Sequence, residues 1–151
     1  MEVEAFRTRS AGYLVNLAGR LFVRALERRL AGRSAGAMPV FLALTEHAAL
    51  SQAALAKWAT VEQPTMANTL KRMERDGLIE RVPDPADGRS ALVSLTADGR
   101  ERAREALAAG RKIHTLALSA LAPAEREIFL DMLRRVIAKL DADGSESAPR
   151  I

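Results

Sequence analysis

The amino-acid sequence predicts a mainly α fold of about six helices with one small β-hairpin. Three observations carry that prediction. Apolar residues recur at helical spacing through most of the 151 residues, and period-two runs are confined to 78–82 and 91–95. Hydrophobic residues make up 48% of the chain and aromatics only 4%, so alanine and leucine must fill the core, a composition suited to closely packed helices. Between the two period-two runs sits Asp87-Gly88. Such a pair is a strong hairpin signal because glycine accepts positive φ without a Cβ clash. The length fits a single domain, 1–151, with a sizeable core.

Residues 10–31 read as one long amphipathic helix. Leu14, Leu17, Leu21, Ala25 and Leu26 line one face, Phe22 and Leu30 broaden it, and Arg20, Arg24 and Arg28 repeat every four residues elsewhere. Gly32, Ser34 and Gly36 break it. A second helix over about 37–47 carries Val40, Phe41 and Leu44. Ser51 is placed to cap a short third helix with core positions Leu55 and Ala56 and Trp58 as a further candidate. Thr60-Val61 makes the turn into a fourth helix over about 62–76, which tolerates Pro64 in its first turn. Met66, Leu70 and Met73 share one of its faces, and Gly77 supplies a left-handed stop. Strands follow at 78–82 and 91–95, joined by the polar stretch 83–90. Thr96 caps a fifth helix over 97–118. Pro123 at the first helical position, with Glu125 near the third, opens a sixth to about residue 140. The polar tail, 141–151, is expected to be disordered.

Short helix, turn, longer helix, glycine stop, strand, polar hairpin, strand is the layout of a winged helix-turn-helix, here at 51–96. With Met66, Leu70 and Met73 turned to the core, the opposite face of the fourth helix offers Gln63, Thr65, Asn68, Thr69 and Arg72. Asn and Gln can pair bidentately with adenine and Arg with guanine, and Thr suits a phosphate or a thymine methyl. Alone, such a face is the solvated side of an ordinary amphipathic helix. The helix before it and the hairpin after it favour contact with DNA. The hairpin projects Arg89 toward a minor groove, whose negative potential attracts guanidinium, and Asp87 is placed to orient Arg89 through an ion pair. Lys71, Arg75 and Arg81 are further phosphate-contact candidates, and Ser51 and Ser90 complete the candidate DNA-binding set.

Charge contributes little to this reading. The net formal charge is +4, but the excess lies early: from Arg7 to Arg33 there are seven arginines and one acid, Glu27. From Lys57 to Arg89 six basic residues face six acids.

At this point the chain resembles the multiple-antibiotic-resistance regulator (MarR) family over roughly residues 10–140. The resemblance is carried by Ser51-Gln52-Ala53-Ala54-Leu55-Ala56, by Val61-Glu62-Gln63-Pro64-Thr65-Met66 and by the run from Leu70-Lys71-Arg72 through Gly77-Leu78-Ile79. The stretch Asp84-Pro85-Ala86-Asp87-Gly88-Arg89-Ser90-Ala91-Leu92-Val93-Ser94-Leu95-Thr96, followed by Gly99, is similar to the family's wing-to-helix signature. The resemblance implies a homodimer with interlocked terminal helices, about 10–31 and 97–140, and a DNA-binding lobe at about 37–96. It also implies recognition helices in successive major grooves of a pseudo-palindrome and wings in the flanking minor grooves. Arg89 stands at the family's wing-tip arginine and Asp87 at the acid that orients it. Asn68 departs from the arginine many members carry there, so their base preference at that position does not transfer.

Dimerisation has independent support. Ile128, Phe129, Met132, Leu133, Val136, Ile137 and Leu140 make a face on the last helix wider than one neighbour needs, and two-fold symmetry matches symmetric half-sites. The resemblance further implies a small anionic or phenolic effector in a cleft between the dimer helices and the DNA-binding lobe, with Arg20 and Arg24 as the residues able to meet an anion.

Other chemistries find little support. The absence of cysteine excludes disulfides, thiolate metal sites and thiol redox sensing. No cofactor is expected: there is no Gly-rich phosphate loop, and nothing around His47 or His114 has metal-ligand spacing. Gly32-Arg33-Ser34-Ala35-Gly36 matches the nucleophile-elbow pattern but joins two helices in a chain without a parallel sheet, so a helix-breaking loop explains it better than catalysis. The N-terminus lacks the features of a signal peptide and no apolar run is long enough to span a membrane, which leads to the expectation of a soluble, cytoplasmic protein. The sequence thus predicts a ligand-responsive repressor that binds double-stranded DNA as a homodimer. The near-neutral charge over 57–89 motivates the alternative, a protein-interaction module on a winged-helix scaffold.

Overall fold

Seven α-helices and one antiparallel strand pair are present among the residues that a computed structural model describes, 2–31 and 35–146. They fall into two compact units divided after Ile113. The glycine-serine pattern's Gly32, Arg33 and Ser34 lie outside the described residues.

The first unit opens with a helix the sequence did not predict, α1 (Glu2–Arg9), ahead of α2 (Ala11–Arg29). With only Val3 and Phe6 as large apolar residues, α1 carries too short a pattern to show a period, but Arg7 and Arg9 in its last turn complement the helix dipole. Ser10 separates the two. Its ψ of 115° leaves the helical region, and its Oγ accepts the Tyr13 N–H at 3.3 Å as the cap of α2. The apolar stripe of α2 does not behave as a core face along its length. Leu26 and Leu30 are buried with Ala25 packed beside them, but Leu14, Leu21 and Phe22 stay 45%, 51% and 44% exposed.

A 3₁₀ turn (Ala35–Ala37) leads into α3 (Met38–Glu46), then α4 (Gln52–Ala59) and α5 (Gln63–Arg75). Val40 and Phe41 from α3, Leu55 from α4 and Leu70 from α5 are among the most fully buried side chains. Ser51 caps α4 as predicted, its Oγ accepting the Ala54 N–H at 3.1 Å. Trp58, by contrast, is 40% exposed rather than in the core. It stands about 60° around the helix from Leu55, on the side away from Ala56, and so flanks the buried stripe at its edge.

Thr60 ends α4 at φ 53°, ψ 47°, and the Val61 N–H returns to the Ala56 carbonyl at 3.0 Å. A β-branched residue in the left-handed region is strained. Thr60→Gly is therefore expected to raise stability by roughly 0.5–1 kcal/mol, the relief of strain less the entropy glycine adds to the unfolded chain. Urea unfolding measures this, and a lower midpoint would show that the threonine side chain compensates its own backbone.

Met66, Leu70 and Met73 are buried on one face of α5, as their spacing requires. Gly77 then turns left-handed at φ 71°, and the Leu78 N–H bonds the Met73 carbonyl at 2.9 Å. Strands β1 (Ile79–Pro83) and β2 (Ala91–Leu95) pair antiparallel, with Ile79 opposite Leu95 and Arg81 opposite Val93. Leu50 adds a third, one-residue strand. Its N–H and carbonyl exchange hydrogen bonds with Val93 at 3.0 and 2.8 Å, tying the hairpin to the segment before α4. Helix α6 (Ala97–Leu118) starts at Thr96, whose Oγ1 donates to the Gly77 carbonyl at 2.6 Å and accepts the Gly99 N–H at 3.0 Å.

The second unit contains the end of α6 and α7 (Pro123–Glu146). Glu125 Oε2 accepts the Ala122 N–H at 2.7 Å, half of a capping box. The helix runs six residues past the predicted end at about 140, so 141–146 are not a disordered tail, and 147–151 lie outside the described residues. Nothing stops it earlier. Pro149 is still ahead, and Gly144 is taken into the helix without positive φ. Ile128, Phe129, Met132, Val136, Ile137 and Leu140 remain between 46% and 66% exposed. No helix among the described residues is long and apolar enough to cross a membrane.

Candidate nucleic-acid interface

Helix α5 is solvated on the side away from Met66, Leu70 and Met73, and six of the predicted residues converge there. Thr65, Asn68, Thr69, Lys71, Arg72 and Arg75 line one shallow open groove of ≈ 600 Å³. Three are cations and none is a carboxylate. Their polar groups are not equally free. Thr69 Oγ1 donates to the Thr65 carbonyl at 3.1 Å, which spends its hydroxyl hydrogen on the helix and leaves its methyl and a lone pair for a ligand. Arg75 Nε bonds Asp76 Oδ1 at 2.9 Å, and this bond and charge hold the guanidinium more firmly protonated than usual. Arg81 Nε meets Glu74 Oε2 at 3.5 Å. Lys71 and Arg72 have no ion pair among the described residues. The Arg72 guanidinium lies beside Gly36 of the 3₁₀ turn, 3.9 Å from where a Cβ there would stand.

Gln63 is not part of the groove. As the first residue of α5 it accepts a hydrogen bond from Gln52 Nε2 at 3.4 Å, through its Oε1. Gln52 is the first residue of α4, a contact sequence reasoning missed because the pair is brought together only by the packing of α4 on α5. Ser51, the neighbouring cap, keeps its hydroxyl hydrogen available to an anion.

The wing tip differs from the prediction. Asp87-Gly88 does not form a two-residue turn, and Gly88 has no positive φ. Residues 84–90 instead fold through two carboxylates. Asp84 Oδ1 accepts the Ala86 N–H at 2.8 Å and Asp87 Oδ1 accepts the Arg89 N–H at 3.0 Å. Backbone bonds from Asp87 N to Asp84 O and from Ser90 N to Asp87 O close consecutive turns. Ser90 Oγ donates to Asp84 Oδ2 at 3.1 Å and braces the loop. The predicted Asp87–Arg89 ion pair is absent among the described residues. Asp87 Oδ1 holds the backbone N–H of Arg89 rather than its guanidinium. The Arg89 side chain is left exposed and unpaired within the described chain.

The near-neutral charge of 57–89 therefore conceals a partial segregation, with Glu62 and Glu80 exposed and without an ion pair among the described residues. Glu74 and Asp76 are matched by arginines, and Asp84 and Asp87 are committed to the wing's turns. The groove itself carries only positive side chains and amide or hydroxyl groups. Arg20 and Arg24, the predicted effector contacts, are exposed on α2 and do not belong to it.

Comparison with known proteins agrees with this geometry. The MarR family model matches residues 40–91, from α3 through the start of β2. The transcriptional regulator HosA of Escherichia coli O111:H- is 34% identical over 98 residues, 65% of this chain and 73% of HosA. The chain belongs to the MarR family. The HTH-type transcriptional repressor NicR of Pseudomonas putida is 34% identical to this MarR-family chain over 95 residues, 63% of the chain and 60% of NicR. Among solved structures, Bordetella bronchiseptica BpsR, whose DNA binding is regulated by 6-hydroxynicotinic acid, is 27% identical with a TM-score of 0.75, covering 85% of this chain and 94% of that one. The protein is thus a MarR-family transcriptional regulator with a winged helix-turn-helix, and not an enzyme.

Proposed function

We propose that this regulator binds a pseudo-palindromic site in double-stranded DNA as a homodimer and acts as a ligand-responsive repressor in the cytoplasm. The observation that carries the reading is the carboxylate-free groove on α5 with an unpaired Arg89 on the adjoining hairpin. In that arrangement Thr65, Asn68, Thr69, Lys71, Arg72 and Arg75 meet base edges and phosphates of a major groove, and Arg89 enters the flanking minor groove. Ser51 contributes a phosphate contact, and Asp87 and Ser90 act by shaping the wing. The lobe at about 37–96 reads DNA, and helices at about 10–31 and 97–140 join the protomers. The uncovered apolar residues of α2 and α7 support the dimer, since a lone protomer leaves them in water. NicR's description as a repressor and the ligand control of BpsR support repression relieved by a small anionic or phenolic molecule, with Arg20 and Arg24 as its anion contacts.

The test is a salt titration of binding to DNA enriched by the protein from random duplexes. Log K should fall linearly with log salt, by about 0.9 for each phosphate neutralised. A flat profile, or no binding at low salt, would favour the protein-interaction alternative.

A further inference from the structure

One polar contact at the interface is unexplained by stability. The Gln52–Gln63 bond joins two side chains eleven residues apart at 3.4 Å in an exposed setting, where a hydrogen bond exchanges with water at little net gain. Its consequence is orientational. A carboxamide has a donor end and an acceptor end, and one free in water presents either. Gln52 Nε2 takes one lone pair of Gln63 Oε1, which biases the acceptor end toward α4 and leaves the Gln63 Nε2 hydrogens and the second Oε1 lone pair for a partner. Gln63 is also the first residue of α5, and the N-terminal residues of the second helix in a helix-turn-helix are the ones that reach base edges.

We infer that Gln52 is a positioning residue for sequence specificity: it sets which end of the Gln63 amide faces the base pair, so the two glutamines together read one base. An adenine, with N7 accepting and N6 donating side by side, complements the donor and acceptor so presented. The inference rests on the DNA reading proposed above. It assigns a role to a residue outside the groove.

Selection from random double-stranded DNA with the full-length protein tests it, using wild type, Gln63→Ala, Gln52→Met and Gln52→Glu. Wild type should enrich an adenine at one position per half-site, and Gln63→Ala should lose preference there. Gln52→Met should lower discrimination at that position about two- to tenfold, the scale of one neutral hydrogen bond, leaving the rest of the site unchanged. Glutamate at 52 can only accept, so it must take an N–H from Gln63 and reverse the amide. The preferred base at that one position should then change. Thermal unfolding midpoints of the Gln52 variants should match wild type. The inference is overturned if both Gln52 variants select the wild-type base with wild-type discrimination, or if Gln63→Ala alters no position. Weakening spread evenly over the site would overturn it too. If wild type enriches no site at all, the DNA reading fails and takes the inference with it.

Discussion

Gly99→Ala is expected to destabilise the protein by about 2–4 kcal/mol, combining overpacking with the loss of a helix cap. A Cβ on Gly99 would stand 1.8 Å from the Leu78 carbonyl oxygen and 2.8 Å from its carbon. Both are backbone atoms, so no rotamer change relieves the clash. The same carbonyl accepts the Thr96 N–H at 3.1 Å, and Thr96 Oγ1 bridges the Gly77 carbonyl and the Gly99 N–H. The first turn of α6 is thereby seated directly on the end of the α5 stop and the start of β1. Lifting it by even an ångström breaks these bonds together. In urea, the midpoint should fall with an unchanged m-value. Equal midpoints for Gly99→Ala and wild type would show that α6 is not seated through this contact.

That junction also marks how far sequence reasoning reaches. Ser51, Gly77 and Thr96 act as the caps and stop their residue types predict, because each works within a few residues of itself. Met66, Leu70 and Met73 are equally legible, since one helical period decides their face. The misses depend on something a period does not contain. The α2 stripe looks like a core face, yet Leu14, Leu21 and Phe22 are exposed among the described residues, because amphipathicity marks an apolar face without saying what covers it. Leu50 pairs with Val93 through one residue, too little for any alternation to reveal. At the wing, Asp-Gly statistics lost to side-chain chemistry: the two aspartates cap their own downstream N–H groups and build a longer loop. Gln52 and Gln63 meet only after α4 and α5 have packed.

Arg89→Ala is expected to weaken DNA binding about ten- to a hundredfold, the scale of losing one well-placed arginine contact. The side chain is exposed, has no ion pair among the described residues, and sits on a loop fixed by its own backbone N–H on Asp87 Oδ1 at 3.0 Å. The guanidinium therefore reaches DNA without a protein partner to give up, and nothing in the described chain competes for it. Removing it should reduce the slope of log K against log salt by about one if it neutralises a phosphate. If it reads groove potential, discrimination between A·T and G·C flanks should fall instead. Asp87 distinguishes the observed wing from the one predicted. Were its role to orient Arg89 by charge, Asp87→Asn would mimic much of the arginine loss. Because its oxygen accepts a backbone N–H, asparagine can keep the turn and also remove a negative charge beside the phosphates. Asp87→Asn should then bind at least as tightly as wild type, and Asp87→Ala, which has no acceptor, should bind more weakly. Fluorescence anisotropy at several salt concentrations separates the three variants. Loss of affinity in Asp87→Asn equal to that in Arg89→Ala would restore the ion pair as the working contact.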